Sequence, residues 1–300
     1  MNRSSSSLTR RRFLRTAGIG AGASVVLPAL SASGIAEAKE KWPMRLATSS
    51  IQFAELTLAQ ACHEIAGLGF EAIDIWDEFD GNKHLAEAEK LGGDGLKDLL
   101  AKNNLKLSAF SVYRAGYQRY AELLGKAGGG MAVRECKYGK FKAEELPNEM
   151  KKFFESLKPL LELAEKHNGC LAIENHGNSL LDAPDSFKAF VETNASPRLG
   201  IALAPYHLQA IKAAVPDVIR SCGKQLFFFY AWQCAPEFQQ LPGVGPADMT
   251  PWLQALGDIQ YAHYVNPFMH GHPKAEEMSA NLAKSCEYLK NCYRTVTNEK

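Results

Sequence analysis

After residue 40, eight short β-rich runs alternate with longer stretches of helical periodicity, and this alternation limits the possible folds more than any other feature. The runs are Arg45–Ser50, Ala72–Trp76, Lys106–Val112, Met131–Glu135, Cys170–Asn175, Leu199–Leu203, Gln225–Tyr230 and His263–Asn266. Helical patterns lie between most of them, clearest at Leu56–Leu68, Gly95–Asn103 and Glu145–His167, with two more at Asp182–Thr193 and Met249–Leu256. In the third helix Phe153, Leu157, Leu160, Leu161 and Ala164 recur at helical spacing, and Gly169 stands just past its end. Eight strand–helix units over residues 39–300 match the count and length of an α/β fold, the (β/α)8 TIM barrel. The rival is a doubly wound open sheet, but no Gly-x-Gly-x-x-Gly follows the first strand. Gly128-Gly129-Gly130 precedes a strand instead and reads as a turn. No internal repeat or long linker divides the body, so one barrel is expected.

Residues 1–38 read as an address rather than as part of that fold. Thr9-Arg10-Arg11-Arg12-Phe13-Leu14-Arg15 is followed by a Gly/Ala-rich apolar segment to about Leu30 and by Ala36-Glu37-Ala38. Charged region, apolar region and small-x-small cleavage site, in that order, form an export signal. The Arg-Arg-x-Phe-Leu core is similar to a twin-arginine signal, which a receptor reads and which is not an anchor. The expected location is the periplasm, free of the membrane after cleavage. A phosphorylated sugar would be an unexpected substrate there.

Charge and cysteine content exclude several classes. The net charge of +1 averages a basic head with a body of 29 basic and 32 acidic residues. A body at −3 exerts no general pull on nucleic acid. Seven scattered cysteines, with no Cys-x-x-Cys, make no disulfide framework and read mostly as small buried hydrophobes. An oligomer of identical chains is compatible with all of this.

A (β/α)8 barrel carries its chemistry at the C-terminal ends of its strands. Those ends read Trp76-Asp77-Glu78, Tyr113-Arg114, Arg134-Glu135, Glu174-Asn175-His176, Pro205-Tyr206-His207, Tyr230-Ala231-Trp232-Gln233 and Asn266 through His272. His63, His84 and His167 fall in helical patterns and are expected at the surface. Glu174 closes an apolar run, where a carboxylate needs a cation or hydrogen-bond donors. A salt bridge to Arg114 or Arg134 would satisfy it without chemistry. His207 can cap a helix or serve a site. Trp76 and Trp232 are either core aromatics or walls for a sugar face. Asp77-Glu78 is a solvated loop or part of the site. His270-x-His272 is a weak metal pattern on its own.

The chain resembles the sugar phosphate isomerase/epimerase family, the xylose isomerase-like TIM barrels, from Met44 to about Tyr288. The resemblance rests on Glu174-Asn175-His176, on the segment ending in His207, and on the Tyr-x-x-Tyr-Val-Asn-Pro-Phe stretch at 261–268. It implies proton transfer next to a sugar carbonyl around one divalent metal, held by Glu, Asp, His and Glu from strands five to eight. Carried onto this sequence, Glu174 matches the first Glu. The Asp-x-x-His motif becomes Ala204-Pro205-Tyr206-His207. The strand-seven His falls at Ala231 or within 230–233, and the last Glu falls at Asn266.

Two expectations follow. Glu174, His207, His270 and His272 rebuild a nitrogen-rich site for Zn, Co, Ni or Mn. Otherwise there is no metal, and Glu174 or a histidine is the base while Arg114 or Arg134 stabilises an enolate oxygen. Glu174 and His207 are the expected catalytic residues. Trp76, Arg114, Arg134, His176, Tyr230, Trp232 and Asn266 are expected to bind the substrate, a small non-phosphorylated sugar or keto-glycoside. Isomerisation, epimerisation and elimination share the same first step. The alternative function is a carbohydrate-binding barrel that has lost catalysis.

Overall fold

The computed structural model describes residues 42–298, so residues 1–38, where an export signal is expected, lie outside the described residues. One sheet contains β1 (Ala47–Ser49), β2 (Ala72–Trp76), β3 (Lys106–Ser111), β4 (Gly130–Glu135), β5 (Gly169–Glu174), β6 (Leu199–Leu203), β7 (Leu226–Ala231) and β8 (Val265–Pro267) in chain order. Every neighbouring pair is parallel. A parallel bridge from Leu46 to Val265 joins the two edges, so the sheet is a nearly closed barrel. The helices are α1 (Leu58–Gly67), α2 (His84–Lys102), α3 (Tyr117–Lys126), α4 (Leu146–Lys166), α5 (Pro184–Thr193), α6 (Pro205–Ala210), α7 (Val215–Cys222), α8 (Thr250–Asp258) and α9 (Ala275–Thr297). Among the described residues no helix is long and apolar enough to cross a membrane.

Local chemistry explains the element ends. Thr57 caps α1 by accepting from the Gln60 backbone N–H, while the Gln60 side chain accepts from the Thr57 N–H. Gly128, Gly129 and Gly130 all adopt positive φ in the turn before β4. A Cβ on Gly129 would collide with the Asn168 carbonyl, so this turn requires glycine. At the end of α4 the left-handed residue is Asn168, and Gly169 already opens β5. The first strand is shorter than Arg45–Ser50, and the last begins at Val265 rather than His263.

The strands place their residues with period two. Leu199, Ile201 and Leu203 of β6 join the layer that faces the helices, together with Phe229 and Ala231 of β7. Ala202 and Ala204 point inward with Ala172, Val133 and Ala109, and in the same interior cluster stand Phe228, Tyr230 and Trp232, with Phe228 of β7 in register beside Ala202 of β6. Small residues of some strands thus leave room for the large aromatics of β7, which fills the barrel as a core. The same parity decides which side chain at each strand end faces the mouth.

His84 departs from expectation. It opens α2 fully buried, and its Nε2 donates to the Leu56 carbonyl at 2.9 Å. Burial lowers its pKa. Of the seven free cysteines, five are buried, Cys170 is half-buried and Cys234 is exposed.

Candidate active site

Continuing the inward rows to the C-terminal ends of the strands brings Trp76, Tyr113, Glu135, Glu174 and Phe268 to one mouth. They line a cavity of about 410 Å³, with His176, His207, His270 and His272 on its rim. That is the size and position of a small-molecule site on this fold.

Glu174 stands at the end of β5, partly open to the cavity and otherwise enclosed by protein. The Tyr113 hydroxyl donates to it. Because that proton is committed, the Tyr230 hydroxyl, 3.1 Å from that of Tyr113, donates in turn. Burial raises the Glu174 pKa to about 7, opposed by the Tyr113 hydrogen bond and reinforced by the charges of Asp74 and Glu135. Burial likewise drives both tyrosine hydroxyls well above their usual range, so they remain donors.

A second polar network lies one layer deeper. Asp74 of β2 is fully buried and accepts from Ser49 at 2.7 Å, Ser111 at 2.9 Å and the Trp76 indole at 2.6 Å. Burial raises its pKa to about 7 against these three hydrogen bonds. Asn266 is buried beside it and donates to Ser49 at 3.0 Å. Trp76 is therefore held by its indole N–H. Its ring stacks on Phe268, with centroids 5.4 Å apart, and tilts against Tyr113 at 4.9 Å.

His207 lies in the first turn of α6, opened by Pro205. Its pKa falls to about 3 through burial and the neighbouring His176 and His270, so the ring is neutral. Its Nε2 is buried without a partner. His176, centred 4.1 Å away, donates from Nδ1 to the Gly177 carbonyl at 2.9 Å. Trp232 stands behind them rather than in the wall. It stacks on Tyr206 at 4.4 Å, meets His207 and His270 edge-on, and donates to Gln240 at 2.8 Å.

Arg114 and Arg134 do not reach Glu174. Parity turns Arg134 away from the interior and Glu135 into it, and the two form a pair at 3.0 Å. Both arginines line an adjoining cavity. Asp77 is a buried loop anchor that accepts from the Arg114 and Ala115 N–H groups at 2.6 and 2.9 Å. The sequence reading did not single out Tyr113, Glu135, Phe268, Asp74 or Gln240. For the first four, period-two parity was the available signal, whereas nothing in the sequence marks Gln240.

The donor set does not fit a divalent ion. Among the described residues no three His, Cys, Asp or Glu side chains lie close enough to share one. The inward residue of β7 is Tyr230, since Ala231 faces the helices, and β6 and β8 offer Ala204 and Asn266. His272 turns to Asp80 at 3.4 Å.

No curated protein sequence matches the chain. Among solved structures, a D-psicose 3-epimerase from Clostridium cellulolyticum H10, determined with D-tagatose, superposes with a TM-score of 0.67 at 15% identity, covering 83% of this chain and 99% of its own. A 3-keto-D-glucoside 4-epimerase from E. coli gives 0.64 at 15%, covering 82% and 100%. The IOLI protein with a bound zinc atom gives 0.64 at 17%, covering 84% and 99%. These likenesses agree with the barrel described above. The sequence profile of one family matches residues 62–292. That span takes in most of the strands and most of the candidate site, and the chain belongs to the xylose isomerase-like TIM barrel family.

Proposed function

We propose that this chain is an enzyme that moves a proton next to the carbonyl of a sugar or keto-glycoside, with Glu174 as the base and no metal ion. The observation that carries this reading is Glu174 itself, a carboxyl with a pKa near 7 facing a sugar-sized cavity and held by Tyr113. Two structurally similar proteins are named as sugar epimerases, which agrees with such a substrate. Ionised Glu174 takes the proton from the carbon beside the carbonyl. The C–H electrons form a C=C bond, and the carbonyl pair moves onto oxygen. Neutral His207, with its unpartnered Nε2, provides a donor for that oxygen or for a hydroxyl. Return of the proton to the other face, return at the neighbouring carbon, or loss of a β-substituent gives epimerisation, isomerisation or elimination.

The test is uptake of deuterium from D2O into D-psicose, D-tagatose and a methyl 3-keto-glucoside, followed by NMR. The absence of a converging donor set among the described residues favours a second reading, a carbohydrate-binding barrel without turnover. Saturable binding with no exchange would establish it. Washing with EDTA is expected to leave exchange unchanged. Loss of exchange restored by Zn, Co, Ni or Mn would overturn the metal-free mechanism.

We also read residues 1–38 as directing export. Mature protein beginning after Ala38 is expected in the periplasmic fraction, and Arg10→Lys with Arg11→Lys is expected to leave the precursor in the cytoplasm. Equal export of that variant would refute the twin-arginine assignment.

A further inference from the structure

Beside the first cavity lies a second, of about 600 Å³, and the two share Phe79, Tyr113, Glu135 and Tyr138 as a common wall. Their charges differ. The carboxylates of Asp80, Glu135 and Glu174 line the first. Arg114, Arg134 and Lys137 line the second, with Glu135 as the one carboxylate there.

Two of these cations have unused hydrogen-bonding capacity. Lys137 is neutralised by Glu149 at 2.8 Å. Arg134 commits only Nη2, to Glu135, and its Nε has no partner. The Arg114 guanidinium has no carboxylate partner among the described residues and lies over the Phe79 ring at 5.1 Å. Its backbone is fixed by buried Asp77, so the charge stands on a tethered loop. A guanidinium pair of this kind recognises a planar or tetrahedral oxyanion.

We infer that the second cavity is a subsite for an anionic substituent of the sugar, a carboxylate or a phosphoryl group, held between Arg114 and Arg134 while the carbonyl end lies at Glu174. This rests on the proposed proton transfer for the identity of the first cavity. The division of charge suits the chemistry. An anion among three carboxylates would oppose ionisation of the base, whereas one placed beside Arg114 avoids them. The shared aromatic wall, Phe79 and Tyr113, would cover the apolar stretch between the two ends.

The probes are D-glucose, D-glucuronate and D-glucose 6-phosphate, with binding measured by calorimetry on the exported chain at low and moderate NaCl. At least one acidic sugar is expected to bind roughly tenfold more tightly than D-glucose, the margin shrinking as salt rises. Whichever acid gains the margin identifies the carboxylate or the phosphoryl source. Arg114→Gln, a change at an exposed side chain, is expected to remove most of that margin. Arg134→Lys, which keeps the charge beside Glu135 and loses the fork, is expected to reduce it. No preference for either acid, or a margin that survives both substitutions, overturns the subsite. Deuterium uptake is scored separately: its failure with acidic and neutral sugars alike would remove the proton-transfer reading and leave the binding margin to be judged on its own.

Discussion

Glu174→Gln is expected to reduce deuterium exchange by about 10²–10⁴-fold, the usual contribution of a positioned base, while leaving the fold intact. Gln has nearly the same shape, and its amide oxygen can still accept from Tyr113, so the relay from Tyr230 persists. What disappears is the ionisable oxygen. Wild-type exchange should rise with pH through about 7, following ionisation of Glu174, and the variant should show no such rise. A variant that exchanges at the parent rate would move the base elsewhere, with Glu135 the next carboxylate on the cavity wall.

The same substitution should reverse sign in stability. Between its ordinary value of 4.5 and about 7, Glu174 holds a proton in the folded chain that the unfolded chain has released. Raising pH through that window therefore favours unfolding, and the stability present below 4.5 is lost by about 7. For Glu174 the loss is on the order of 2 to 3 kcal/mol after allowance for water in the cavity. Asp74 adds a contribution of the same sign over the window from 3.8 to about 7. Urea unfolding of Glu174→Gln and the parent should give coincident midpoints at pH 4 and a clear advantage for the variant at pH 8. A difference independent of pH would show that Glu174 does not carry the raised pKa. Activity and stability thus pull in opposite directions on one carboxyl.

Eight strands and one barrel are legible in the sequence because β-rich runs and helical periodicity are local properties. The place of Glu174 on the cavity wall is legible because a residue closing a barrel strand at its C-terminal end falls at the mouth. The choice between neighbours was harder. Arg134 stands out in the sequence, but parity assigns the interior to Glu135. Ala231 is the simple alignment for a strand-seven ligand, yet Tyr230 is the residue that faces inward. Trp232 suits a sugar wall by composition and instead supports two histidines from behind. His84 lies in a helical pattern, but its partner is a loop carbonyl 28 residues earlier, which no periodicity marks. Long-range partners of this kind emerge only when strands and loops are assembled.

The interior carries one further consequence, for how the site could be redesigned. Ala204 is small where the resemblance implies an aspartate, Tyr230 is the inward residue of the 230–233 segment where it implies a histidine, and both belong to one interior cluster. Placing histidine at 230 alone would take away the hydroxyl that partners Tyr113 and open a void beside Phe228. Aspartate at 204 would bury a carboxylate beside the Trp232 cluster, but at the N-cap of α6, where backbone N–H groups can receive it. The change at 230 is thus the costlier of the two for the fold. Redesign of this barrel toward a metal site would therefore begin at 204 rather than at 230.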